Sequence, residues 1–406
     1  AAIRAKRNQR FAALRDMRPA IRVASDKAGV PTYKAAAFEN YRLAVLLVAF
    51  PDLPATFQPQ DFEQLLFSEN YSYVSPVSGE PAFGSMRDYY RTMSGGVLDV
   101  GGQVFDWVTA DFNRAYYDKN GNISAEAVAK TGVDLSSFDG YVVIYAGTVA
   151  SATSNLWPQA LVAGGRPHYL MSEQWLPKYR FSPIGVHCHE FGHLLGLPDL
   201  YDIDFSSAGV GNWCTMGSGN YGGGHHERPF HLSAWSKMQL GWLTPKVLYD
   251  GVNTGVILRP VETDRDVYKL VSLASYFLLE NRRRRDYDFY LAGEGLLIWH
   301  IDDRFGSQST DHHRLVDVEE ADGQESAGDD GDLFPGRTHN TAFGAATNPS
   351  SRDYNGQSYL DISNIAITGE NISCDVAIDL GVGAGITLNR AGNFPNIFTA
   401  LEAALP

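Results

Sequence analysis

The longest apolar run in the chain is Leu43 to Phe50, LAVLLVAF. Eight residues cannot cross a bilayer, so the run predicts a buried strand. Tyr141 to Tyr145, YVVIY, predicts another. Ser85 to Ser94 (SMRDYYRTMS) predicts a helix capped by Ser85. LDVGGQVFDWV (98–108) predicts a strand pair turned at Gly-Gly. DKNGN (118–122) predicts an Asn-Gly turn, because it lacks the later glycine and glutamate of a calcium loop. From about Thr244 the pattern changes. Short β-rich runs (VYKLVSL, SYFLLENR, GLLIWHID, YLDISNIAI, SCDVAIDL) alternate with polar turns, which predicts a β-sandwich-like second domain.

These patterns divide the chain into four parts. Residues 1–40 form a basic arm or pro-segment remnant, with a short helix around Phe11–Met17. Residues 41–245 form a catalytic-type domain, and 246–380 a β-rich one. Residues 381–406 form a tail with a short helix at 396–405. A length of 406 residues suits two domains, and an apolar fraction of 44% suits a large core. The start at Ala1, with no signal-like apolar segment, points to a processed or trimmed N-terminus.

Charge is uneven. Residues 1–27 hold 8 Lys and Arg against 2 Asp and Glu, a balance of +6; with −14 overall, the rest carries −20. An acidic body is a poor nucleic-acid partner, and no membrane span is expected. The arm is read first as solvated, with docking on the acidic body or contact with an acidic surface as the alternatives; an arm lying in the cleft of a latent peptidase is a further reading. Three cysteines make no disulfide framework.

The chemistry concentrates in HCHEFGHLLGLPD, residues 187–199. Ser182 as N-cap, Pro183 at the first helical position and Gly196 as stop predict one helix from Pro183 to Leu195. His189 and His193 then share a face one turn apart, and both can reach one ion. His187 lies about 200° away from His189 and cannot join them. Glu190 can contact a metal-bound water without ligating the metal. H-E-x-x-H on a helix is a zinc-hydrolase pattern with that glutamate as general base. Here it extends to H-E-x-x-H-x-x-G-x-x-D. Gly196 lets the chain turn back, and Asp199 supplies a third ligand. Three protein ligands leave the open position of catalytic zinc. Asp202 competes with Asp199 for that role, but more naturally orients a ligand or caps a turn. Met216, seventeen residues past Asp199 in NWCTMGSGNYGGG, has the setting of a metzincin Met-turn, its thioether an apolar floor under the histidines.

Several stretches together resemble the immune-inhibitor-A family of secreted metzincin-like metallopeptidases: LAVLLVAFPD, FGSMRDYYRTMSGGVLDV, HEFGHLLGLPDLYD, GNWCTMGSGNYGGG, HLSAWSKMQLGWLTP, FLLENRRRRDYDFYLAGEGLLIWHID and VDVEEADG. The resemblance implies an α+β fold: a metzincin-like zinc-peptidase catalytic domain followed by a β-sandwich-like domain. It implies a secreted zinc endopeptidase acting on protein or peptide substrates, made with an N-terminal pro-segment. It also implies His189, His193 and Asp199 as ligands, Glu190 as base and Met216 as the turn methionine. One departure is Ser218, where many metzincins place a tyrosine; Tyr221 is the nearby substitute. With no cysteine before Cys188, a cysteine-switch latency is not expected. The contrasting reading is a catalytically silent relative with a structural or surface-binding role.

Other features rank lower. Asp317, Glu319, Asp322, Asp330 and Asp332 could hold Ca²⁺, with a solvated acidic loop as the equal alternative. His225, His226 and His231 could hold a second metal, though loop histidines are usually only exposed. RRRR (282–285) reads as charged surface or as an ion-pair partner for the acidic body. Cys188 and Cys214 form either a disulfide or two buried thiols. Trp157 reads first as core.

Overall fold

The computed structural model describes residues 38–77, 79–161, 166–272 and 275–380. The helices expected at 11–17 and 396–405 lie outside these residues. The described chain is α+β, with three sheets.

The first sheet holds β1 (Asn40–Ala49), β2 (Asp99–Val104), β3 (Val108–Thr109), β4 (Gly140–Thr148), β5 (Gln159–Leu161) and β6 (His168–Gln174). Across the sheet the order is β2, β1, β4, β6, β5, with β3 also beside β1. All run parallel except β5, the antiparallel edge strand. Parallel strands need crossovers, and helices over both faces bury them twice. The long apolar run shows this directly. Leu43, Val45 and Leu47 enter one core cluster, and Ala44, Leu46 and Val48 enter another. The first cluster includes side chains of α1 (Pro59–Phe67) and α2 (Met86–Ser94). After α3 (Arg114–Tyr117), α4 (Ile123–Thr131) contributes Ile123 and Ala127 to the second.

Ser85 caps α2 as expected. Its hydroxyl accepts from Asp88 N at 3.1 Å, and Asp88 accepts from Ser85 N at 2.9 Å. The Gly-Gly turn expected in 98–108 is not there. Strand β2 runs straight through Gly101-Gly102, paired with Arg42 and Leu43 of β1. A Cβ on Gly102 would sit 2.0 Å from the Leu43 carbonyl oxygen, so this glycine serves close approach rather than reversal.

Past helices α5 (Ile184–Leu194) and α6 (Ala234–Gln239), the chain enters the other sheets. These hold β7 (Lys246–Leu248), β8 (Gly251–Leu258), β9 (Val267–Val271), β10 (Tyr276–Arg282), β11 (Gly295–Ile301), β12 (Val316–Val318), β13 (Leu360–Thr368) and β14 (Asn371–Ile378). A short helix α7 (Val261–Asp264) follows β8. One sheet runs β12-β11-β10-β9-β7 and the other β13-β14-β8. Phe277, Leu279 and Ile298 of the first share a core with Leu258, Ile362 and Val376 of the second. The largest cluster crosses residue 245: Leu278 and Trp299 pack in one core with Phe191 and Met216.

The surface reading of the arginine run fails for Arg282, and its ion-pair reading holds. Arg282 is 0% exposed, with Asp288 at 2.6 Å, Glu280 at 3.0 Å and Glu262 at 3.7 Å. Its Nη1 also donates to the Trp213 carbonyl oxygen at 2.9 Å.

Candidate metal centre

Helix α5 begins one residue later than its sequence signals indicate. Pro183 occupies the cap position, and Ser182 does not cap. The Ser182 hydroxyl is instead 2.9 Å from that of Ser172 on β6. The first turn is tied by Gly185 N donating to the His226 carbonyl oxygen at 3.2 Å. The helix stops as expected. Gly196 has φ 98°, and Leu197 N returns to the Gly192 carbonyl at 3.0 Å. That turn carries Asp199 back under the histidines.

His189 Nε2 lies 3.0 Å from Asp199 Oδ1, and His193 Nε2 lies 3.3 Å from the same atom. Each ring is oriented from behind. His189 Nδ1 is 2.9 Å from the Thr215 carbonyl oxygen, and His193 Nδ1 is 2.8 Å from that of Leu197. A carbonyl oxygen only accepts, so each Nδ1 carries the hydrogen. In a neutral ring, Nε2 is then a bare acceptor facing a carboxylate oxygen. Two acceptors at such distances are reconciled by a proton or by a cation. Asp199 Oδ2 is buried and has no hydrogen-bond partner among the described residues. One ligand atom from each of the three residues lies within 4.8 Å of the others. Among the described residues this is the one group with metal-ligand geometry, and its donor set fits a cation.

The electrostatics agree. Burial opposes a charge on His193, but the Asp199 carboxylate outweighs it and lifts the imidazole to about 9. Burial pushes the Asp199 carboxyl up, yet His193 and His189 hold it well below the usual carboxylate range. Glu190, 3% exposed, adds to the His193 shift, so its carboxylate acts on the same site.

His187 points elsewhere. Its Nδ1 meets the Tyr169 hydroxyl at 3.0 Å, and burial drives its pKa down to about 3. Asp202 is consumed by its own loop, accepting from Ser207 N at 2.7 Å, Ser206 Oγ at 2.9 Å and Asp204 N at 3.2 Å. Met216 is fully buried beneath α5, where a Cβ on Gly192 would sit 2.5 Å from its sulfur. Tyr221 sits tilted in an aromatic group, 4.9 Å from the His226 ring and 6.4 Å from Trp175. Trp157 packs in the core, 5.7 Å from Trp175.

The second-tier sites do not assemble among the described residues. Asp317 pairs with Arg314, Glu319 with His300, and Asp322 and Asp330 with Arg337. Asp332 accepts from Trp213 Nε1 at 2.7 Å. His231 contacts Lys237, while His225 stacks on Tyr290 at 3.6 Å. All three cysteines are buried free thiols. Sequence reasoning missed the Thr215 and Leu197 carbonyls, which no side-chain pattern announces. It also missed Tyr201, whose ring lies nearly parallel to that of His189 at 6.0 Å.

Residues 43–138 and 170–243 match the model of the immune inhibitor A peptidase M6 catalytic domain. The pre-pro-metalloprotease PrtV of Vibrio cholerae serotype O1 is 27% identical over 273 residues, covering 49% of this chain and 29% of PrtV. Immune inhibitor A of Bacillus thuringiensis subsp. alesti is 25% identical over 226 residues, covering 41% of this chain and 32% of that protein. The chain thus spans about a third of the length of these relatives. Wild-type OgpA from Akkermansia muciniphila superposes with a TM-score of 0.29 at 13% identity, over 71% of this chain and 95% of that one, a likeness too loose to argue from. The family match takes in α5, Asp199 and Met216 alike, and in these two segments the chain is similar to the catalytic domain of the immune inhibitor A (M6) peptidases.

Proposed function

We propose that this protein is a secreted zinc endopeptidase, with a metzincin-like catalytic domain at 41–245 and a β-sandwich-like domain at 246–380. The observation that carries the reading is the convergence of His189 Nε2, His193 Nε2 and an Asp199 oxygen, each ring fixed from behind by a carbonyl. Two nitrogens and one oxygen suit zinc, whereas calcium and magnesium favour all-oxygen sites. Three protein ligands leave a coordination position for water or substrate. Zinc held there would supply Lewis acidity and lower the pKa of a coordinated water from near 16 to about 7.

The chain's own residues do the rest. Glu190 takes the proton of the attacking water and returns it to the leaving amine. The Thr215 and Leu197 carbonyls hold the Nδ1 hydrogens of His189 and His193, so that each ring turns its Nε2 to the metal position. Strand β5 ends the first sheet and packs against α5, so its outer edge offers backbone groups to an extended peptide. No helix among the described residues is long and apolar enough to cross a membrane. Nothing in the site favours a silent relative, since Glu190 and the three ligand residues are intact. Casein zymography with and without phenanthroline tests the proposal. A clear band lost on chelation, and lost in Glu190→Ala by about 10²–10⁴ in rate, is expected. Chelator-resistant cleavage, or near-normal cleavage by Glu190→Ala, overturns it.

A further inference from the structure

Two parts of the metal centre sit on loops. Asp199 lies in 197–202, and Thr215, whose carbonyl oxygen orients His189, lies in 214–217; neither stretch is helix or strand. A ligand on a loop keeps its place only through what the loop's backbone is bonded to. The two loops are tied to each other, with Leu200 N donating to the Met216 carbonyl oxygen at 2.8 Å. Both are also tied to the β-rich region.

Gln308, between β11 and β12, is buried and reaches the first loop. Its Nε2 donates to the Leu200 carbonyl oxygen at 3.3 Å and to that of Val316 at 2.5 Å. Its Oε1 accepts from Val316 N at 3.2 Å. The amide is thus braced on β12 and grips the residue next to Asp199. Val210 N also donates to the Leu200 oxygen, at 3.0 Å.

Arg282, at the end of β10, acts on the second loop. Its Nη1 donates to the Trp213 carbonyl oxygen at 2.9 Å and its Nε to Asp288 at 2.8 Å. Asp288 Oδ1 accepts from His231 N at 2.9 Å, and the His231 carbonyl oxygen accepts from Thr215 N at 3.3 Å. One ion pair therefore holds the turn from two sides: at Trp213, two residues before Thr215, and at His231, bonded to Thr215 itself. All of these residues are buried, so solvent does not stand ready to replace a lost donor.

We propose that Gln308 and the Arg282–Asp288 pair are positioning residues of the metal centre. They set the places of Asp199 and of the Thr215 carbonyl, which makes the 246–380 region part of the metal site. This rests on the metal-centre reading. The test is zinc affinity of the full chain, by competition with a fluorescent chelator, together with thermal unfolding with and without zinc. Gln308→Leu removes both hydrogen-bonding ends at similar bulk. Arg282→Lys keeps the charge but not the fork that spans Trp213 and Asp288. Ile362→Val is the control: it trims a core cluster that includes no residue of either loop. Lower stability by itself leaves the affinity of the folded chain unchanged. Gln308→Leu and Arg282→Lys should each bind zinc about tenfold more weakly, the lower end of the range for outer-shell partners of metal ligands, and gain less Tm from zinc. Ile362→Val should keep the parent's affinity. Parent-like affinity in Gln308→Leu overturns the proposal, even where Arg282→Lys fails to fold. Equal weakening in Ile362→Val also overturns it, because affinity would then follow stability. A parent chain that binds no zinc sinks the metal-centre reading, and this inference with it.

Discussion

Gly185→Ala is a demanding test of how the metal helix is held. On helix propensity alone, alanine in α5 should gain about 0.5–1 kcal/mol. The packing reverses the sign. A Cβ at Gly185 would lie 1.9 Å from the Asn220 carbonyl oxygen and 2.8 Å from that of His226, where ordinary contact starts near 3.4 Å. Both are backbone atoms, so no rotamer change relieves them. The His226 oxygen is also the acceptor for Gly185 N. Overpacking costs about 1–3 kcal/mol, and a strained buried hydrogen bond about 0.5–1.5 more. Net of propensity, Gly185→Ala should destabilise by about 0.5–4 kcal/mol. Gly192→Ala is the internal comparison. Its nearest neighbour is the Met216 sulfur at 2.5 Å, on a side chain that can re-orient, so the cost should stay below about 1.5 kcal/mol. Urea unfolding followed by tryptophan fluorescence measures both. A Gly185→Ala chain as stable as the parent, or more so, would refute the packing of α5 against the 220–226 segment.

Three further outcomes are expected. In the metal-free chain His193 holds its proton up to about pH 9, so zinc must displace that proton. Apparent affinity should then fall about tenfold per pH unit below 9, with about one proton released per ion; calorimetry in buffers of different ionisation enthalpy reads this, and pH-independent affinity between 6 and 9 contradicts it. Asp199→Asn should lose bound zinc, whereas Asp202→Ala should keep it and lose about 1–3 kcal/mol of stability as its loop donors go unpaired. Metal content and thermal unfolding decide the pair, and the reverse pattern would make Asp202 the ligand. Arg282→Ala leaves Glu280, Glu262 and Asp288 around a missing cation and should cost about 3–5 kcal/mol by circular dichroism melting; a loss under about 1 kcal/mol would show that the buried network is dispensable.

What was legible in the chain was what local chemistry determines. The His189–His193 spacing places two rings on one face in any α-helix. Gly196 marks the only kind of exit that returns Asp199 to them, and the alternating run from Leu43 reports two covered faces. What failed depends on distant partners. Ser182 has the chemistry of a cap, but Ser172 on a neighbouring strand engages its hydroxyl. Gly101-Gly102 has the look of a turn, yet the Leu43 carbonyl needs the space beside Gly102. Arg282 sits in a charge run that is ordinarily solvated, and only Glu262, Glu280 and Asp288, gathered from three places, make its burial tolerable. The carbonyls of Thr215 and Leu197 fix the tautomers of both histidines, and backbone acceptors leave no mark in an amino-acid sequence.

X-ray absorption at the zinc edge of the loaded protein tests the central claim most directly. The account predicts a first shell of two imidazole nitrogens at about 2.0–2.1 Å and oxygens at about 2.0–2.2 Å, with the oxygen count lower in Asp199→Ala. A sulfur shell near 2.3 Å, drawn from Cys188 or Cys214, or a spectrum unchanged by Asp199→Ala, would contradict it.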